Sequence, residues 1–132
     1  MAEQEMKLAQ EGYDAWNRGD LDWLLDHLTE DIEVQPHKVV KHFEDVYRGR
    51  EAWIAFWERW HEVWVGARIK VHRFEDMGDH GVLALLSFDR SGENGGEEST
   101  PVSHWLTFRD GKFASVTAMA PETAERRREA RS

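Results

Sequence analysis

Histidine is the residue type here with most to offer chemically. The sequence holds seven, and an imidazole moves a proton near neutral pH with little adjustment of its pKa. His104 lies inside the apolar run from Val102 to Arg109. Alternation puts it on one strand face with Val102 and Leu106, opposite Ser103 and Trp105. If that face looks into a pocket, His104 is the acid or base of a proton transfer; the competing reading is a hydrogen-bonded core histidine. Glu33 and Gln35 share a strand face and His37 follows across Pro36, so Glu33 and His37 form a second candidate pair. Its competitor is a solvent-facing edge strand. Tyr13 can donate a hydrogen bond to a bound carbonyl or anion as a neutral phenol, or pack between helix and sheet with its hydroxyl at the rim. Asp89 ends an apolar strand, as a rim charge or as the group that orients His104.

The other histidines do not read as a metal site. His61-Glu62 lacks the second histidine that a helical zinc motif needs. His37 and His42 lie in a segment without helical period, and His72 and His80 flank a turn. Gly95-Gly96 falls between strands rather than before a helix, so it is not a phosphate loop. No metal and no cofactor is expected. The absence of cysteine excludes thiol catalysis, disulfides and Cys-zinc sites. A net charge of −9 disfavours general binding to nucleic acid or an anionic membrane. The N-terminal MAEQEMKLAQ does not read as a signal peptide, and no apolar run approaches the ~20 residues that span a bilayer. The expectation is a cytoplasmic, single-domain globular protein, with 132 residues that are 40% hydrophobic and 33% charged.

These candidates need elements to hold them. From Arg50 to Val65, Trp53, Trp57, Trp60 and Trp64 recur at helical spacing, and Phe56 and Val63 widen the same face. Indoles bury large area but cannot fill every crevice. The helix therefore implies a core with a pocket, lined by Trp16, Trp53, Phe56, Trp57, Trp60 and Trp64. The competing reading makes these rings core and nothing more. Glu3 to Arg18 reads as a first helix with Met6, Ala9, Tyr13 and Trp16 on one face. Gly12 inside it hints at close packing or ligand approach. Gly19 ends that helix and Asp20 caps a second, Leu21 to Leu28, folded back on the first. Thr29-Glu30-Asp31 closes this hairpin and Ile32 to Gln35 is a short strand. The segment 37–47 reads as a strand or a loop over a pocket mouth. After Gly66 the period becomes two. Ile69, Val71 and Arg73 share one face, with Lys70, His72 and Phe74 on the other. Val82 to Asp89, Val102 to Arg109 and Phe113 to Ala120 complete an antiparallel meander, with a Gly-rich loop over Ser91 to Ser99 and an Asp110-Gly111 hairpin turn. Residues 1–121 form the domain, and 122–132 a charged tail, helical or frayed.

The arrangement resembles the α+β cone of the nuclear transport factor 2 superfamily, in its SnoaL-like branch. The likeness rests on Ala15-Trp16-Asn17-Arg18-Gly19-Asp20-Leu21, Leu28-Thr29-Glu30-Asp31 with Ile32 and Val34, Tyr47-Arg48-Gly49-Arg50-Glu51-Ala52, and His104 with Thr107-Phe108-Arg109-Asp110-Gly111-Lys112. These are turns and caps, so they speak to architecture more than chemistry. The resemblance implies a curved mixed sheet wrapped around a long helix, with an N-terminal helical hairpin. It also implies isomerase, cyclase or dehydratase chemistry in some members and none in others. The ketosteroid isomerase positions are not kept. The helix-one tyrosine would fall near Gly12, the catalytic aspartate near Pro36 and the oxyanion-hole acid near His104. SnoaL-like proteins without known activity often carry the same His-x-x-x-Phe-Arg-Asp-Gly pattern.

The sequence reading is therefore a cofactor-free protein that binds a hydrophobic, aromatic or polycyclic small molecule between sheet and Trp helix. Its reaction would be proton transfer next to a carbonyl, with His104 as acid or base and Tyr13 or His37 assisting. A non-catalytic binding or dimerisation domain is the alternative. The outer sheet face, with Trp105 as its largest residue, is expected to meet a second copy in a homodimer.

Overall fold

The computed structural model describes residues 2–36, 42–92 and 96–131. Helix α1 spans Ala2–Arg18 and α2 spans Leu21–Asp26. Asp20 caps α2 by accepting from the backbone N–H of Trp23 at 3.1 Å. That bond, seconded by Arg18, holds its carboxyl below the ordinary carboxylate range. Strands β1 (Leu28–Gln35) and β2 (Tyr47–Arg48) lead to α3 (Arg50–Val63). Strands β3 (Arg68–Asp76), β4 (Val82–Ser91), β5 (Glu97–Arg109) and β6 (Lys112–Met119) then form the meander, and α4 (Pro121–Arg131) closes the chain. One six-stranded sheet runs in the order β2-β1-β6-β5-β4-β3, antiparallel except where β1 lies parallel to β6.

Four features depart from the sequence expectation. The second helix stops at Asp26 and β1 already begins at Leu28. Leu28 pairs with Phe113, and a register shift follows before Glu33 meets Ser115. This parallel pairing overrides the helical spacing of the leucines. In β3 the register shifts between Val71 and Arg73. A bulge changes which face the following residues use. Phe74 therefore turns inward beside Ala84, and Arg73 turns outward, where it ion-pairs with Glu75. Strands β4 and β5 continue pairing to Ser91 and Glu97, further than the sequence suggests. The chain after Pro121 forms α4 and packs on the outer face of the sheet. There Ala124 is buried with Leu83, Trp105 and Met119, and Arg128 grips both oxygens of Glu75 at 2.8 Å. Leu83 of β4 is covered on its outer side for this reason.

The inner face takes α1 and α3. Ile32, Val82 and Leu106 are fully buried there, each contributing roughly 1.5–3 kcal/mol of hydrophobic stabilisation. The Asn17 side chain ties α1 to the outermost strand. Its amide donates to the Ile69 carbonyl and accepts from the Ile69 N–H, both at 2.8 Å. Gly12 supplies the close approach of α1 to β6, since a Cβ there would lie 2.9 Å from the Phe113 ring. At the β5–β6 hairpin, Asp110 and Gly111 take φ of 55° and 73°, as the turn signal implies.

Candidate functional site

Strand alternation decides what faces the interior. On β5, Val102, His104 and Leu106 point inward, and His104 pairs across the sheet with Ala84 and Ala118. Those two small side chains leave room above the sheet for the imidazole. From the helix side, Tyr13 reaches the same place. Its Oη and His104 Nδ1 share a hydrogen bond of 2.8 Å between residues 91 apart in sequence. The rings also stack, with centroids 5.8 Å apart. Phe74 lies 6.3 Å from the Tyr13 ring, and Phe88 lies 6.1 Å from His104.

Tyr13 and His104 border a cavity of about 100 Å³. Trp16 and Leu24 line it from the helical hairpin, and Trp53, Phe56, Trp60 and Trp64 from the region of α3. Phe43 and Pro36 line it as well. The sheet supplies Val34, Ile69, Phe88, Leu106, Val116 and Ala118. The lining holds no lysine, arginine, aspartate or glutamate among the described residues. Burial pushes the Tyr13 phenol well above its usual value, so it stays protonated and neutral. The pair then has two arrangements. With hydrogen on Nε2, the imidazole accepts the phenolic proton at Nδ1. With hydrogen on Nδ1, the ring donates to the phenol oxygen, its basic lone pair sits on Nε2, and the phenolic O–H can donate to a third group.

Two further polar atoms matter. The indole N–H groups of Trp16 and Trp64 are buried without a hydrogen-bond partner among the described residues. Both residues line the cavity. A buried donor without an acceptor costs about 1–3 kcal/mol, so this arrangement is held at a cost in stability.

The structure separates the other candidates from this pair. Glu33 faces outward on β1 and ion-pairs with Arg48 at 2.8 Å. The reason is its parity, because Ile32 and Val34 on either side take the interior. Asp89 lies toward the far end of β4 from Ala84, the partner of His104, and on the opposite face. It accepts from the Ser99 hydroxyl at 2.6 Å. Ser99, and then Ser87, hold its carboxyl below the ordinary range, so Asp89 does not orient His104. His37 lies outside the described residues. Trp57 does not border the cavity. It packs behind Trp16, with centroids 4.6 Å apart, next to His61. Phe43, Phe74 and Phe88 are aromatic neighbours of this region that sequence reasoning missed. Phe88 carried a signal, since it shares parity with the inward residues of β4; Phe74 was hidden by the bulge. No cluster of three or more histidine, aspartate or glutamate side chains able to hold a metal occurs among the described residues.

The profile of the SnoaL-like domain matches residues 9–116. No functionally curated protein matches the chain. Among solved structures, TerC co-crystallized with polyporic acid is 19% identical, with 94% of this chain and 96% of that chain covered and a TM-score of 0.76. A putative polyketide cyclase from Xanthomonas campestris pv. campestris is 21% identical over 94% and 95% of the two chains, with a TM-score of 0.66. SalBIII, an epoxide hydrolase/cyclase-like enzyme, is 17% identical over 92% and 93%, with a TM-score of 0.72. At these identities the likeness is one of fold. No helix among the described residues is long and apolar enough to cross a membrane.

Proposed function

The chain belongs to the family of SnoaL-like domains, and from that premise we propose that its cavity binds an apolar carbonyl compound and catalyses proton transfer next to the carbonyl. The observation that carries this reading is the 2.8 Å contact of Tyr13 Oη with His104 Nδ1 at the wall of an otherwise apolar cavity. One tautomer serves both halves of the reaction. His104 donates from Nδ1 to the phenol oxygen and takes the proton α to the carbonyl at Nε2. Tyr13 O–H donates to the carbonyl oxygen, where negative charge develops. Returning the proton to a different carbon completes an isomerisation; handing it from Nε2 to a departing β-hydroxyl, which leaves as water, completes a dehydration. Neither outcome calls on a cofactor. A co-crystal of a similar fold with polyporic acid supports a small-molecule role. The acidic charge, −9, favours a small molecule over nucleic acid as the partner.

The test is solvent deuterium incorporation. Ketones incubated with the protein in D₂O should gain deuterium α to the carbonyl, followed by NMR, and His104→Ala should abolish the gain while tryptophan fluorescence still reports binding. Binding without exchange in the unmodified protein overturns the catalytic reading and leaves a binding domain.

A homodimer through the outer sheet face belongs to the same proposal, with its contact moved. Trp105 is only 8% exposed within the single chain, next to α4, so the second copy would meet the strip that includes Gln35, Thr107 and Thr117. Light scattering that reports a monomer at micromolar concentration overturns it.

A further inference from the structure

We infer that the ligand is a neutral carbonyl compound no larger than one six-membered ring with short substituents, an inference that rests on the binding reading above and narrows it. Three observations converge. The first is volume. The cavity measures about 100 Å³. An engineered cavity of about 150 Å³ takes a single benzene ring, whereas drug-sized ligands occupy pockets of roughly 300–1,000 Å³. A tricyclic or steroid ligand would therefore have to protrude from the cavity or displace rings that already touch. Trp16 meets Trp60 at 5.0 Å between centroids, and Trp60 meets Phe88 at 5.3 Å. Displacing such packed rings forfeits their contacts.

The second observation is charge. The lining contains no cationic lysine or arginine and no carboxylate among the described residues. A ligand carboxylate or phosphate would lose its water without a guanidinium or ammonium to replace it. The third is the kind of hydrogen bond on offer. Trp16 and Trp64 border the cavity, their buried indole N–H groups have no acceptor among the described residues, and indole only donates. Tyr13 in the productive tautomer also donates. Donors without acceptors at the border of the cavity call for a ligand that accepts, and a carbonyl oxygen accepts without carrying charge. A purely hydrocarbon ligand would leave these donors as they are.

The experiment is calorimetric titration of the full chain with cyclohex-2-en-1-one, acetophenone, anthrone and androst-4-ene-3,17-dione. Saturable binding is expected for the two one-ring ketones, at least tenfold tighter than for the tricycle or the steroid. Tighter binding of anthrone or the steroid overturns the size limit and leaves the binding reading standing. Binding by none of the four removes that reading and this inference together. A second comparison isolates the donors. Trp64→Phe should weaken cyclohexenone by about three- to tenfold relative to its effect on 1-methylcyclohexene, the loss of one neutral hydrogen bond. Equal changes for ketone and hydrocarbon overturn the assignment of the indole as a ligand donor.

Discussion

The two faces of one sheet each hold a histidine bonded to a hydroxyl, and they differ in almost everything else. Outside, exposed His72 meets the Ser87 hydroxyl at 2.9 Å, and Asp89 interacts with both. Inside, His104 meets the Tyr13 hydroxyl at 2.8 Å, between aromatic rings and without a carboxylate among the described residues of the lining. The outer trio has the residue types of a serine hydrolase but not its geometry. The carboxylate bonds to the serine side rather than holding the imidazole, and Ser87 is buried. The tryptophans repeat the contrast. Trp105 outside donates to the His80 carbonyl at 2.7 Å, while Trp16 and Trp64 inside have no acceptor among the described residues. Residue type says little about a site; completeness of the local hydrogen bonding says more. The outer histidine and indole are satisfied by their own chain, and the two inner indoles find no acceptor among the described residues.

The largest effect should come from placing a charge beneath α4. Ala124→Asp puts a carboxylate where the side chain is 2% exposed, and it should cost about 3 kcal/mol, measured by urea unfolding with a red shift of Trp105 emission. A loss below about 1 kcal/mol would mean that α4 is not part of what closes the outer face. Next comes the direct contrast of the two histidines. His104→Ala should slow α-deuterium exchange at least a hundredfold, about 2.7 kcal/mol, while His72→Ala leaves it within about twofold. Equal effects erase the distinction between the faces.

The third prediction concerns alkali. Burial raises the folded-state pKa of Tyr13 above the unfolded value of about 10. The folded state then binds the extra proton, so this contribution is fully present below pH 10 and falls above it by about 1.4 kcal/mol per pH unit. Tyr13→Phe should flatten the decline by that amount. Parallel curves for the two proteins would mean that the phenol is not buried. Last, Trp105→Phe should cost about 1 kcal/mol by stranding an acceptor, whereas Trp64→Phe in the ligand-free protein should be neutral or slightly stabilising, because it deletes an unpaired donor. Chemical denaturation of both variants decides this, and a loss of 1 kcal/mol or more in Trp64→Phe sharpens the role of its ring over that of its N–H.

Much of this could be read from the chain. Helical spacing placed the indoles on α3, alternation placed His104 opposite Trp105, and Asp110-Gly111 marked the last hairpin. These are local patterns, and local periods survive folding. The regular helix that aligns Tyr13 with Ala9 and Trp16 put it on the inward face, but its meeting with His104 joins residues 91 apart, which no local period encodes. The bulge after Val71 reversed Arg73 and Phe74, because one extra residue inverts a period of two. The leucines of α2 have helical spacing, yet Leu28 joined the sheet where β6 offered it backbone partners. The tail read as charged because it is; a single alanine at position 124 was all that betrayed its buried side.

Asn17 carries a consequence for behaviour at high concentration. An open sheet has two edges, and a bare edge can recruit strands from other molecules into fibres. Here one edge, β2, is two residues long. The other, β3, is broken by a bulge, studded with Arg68, Lys70 and Arg73, and occupied at Ile69 by the Asn17 amide, which takes both the donor and the acceptor a foreign strand would use. One helix side chain thus stands in for a neighbouring peptide. A sheet of six strands can be concentrated without offering the next molecule a template.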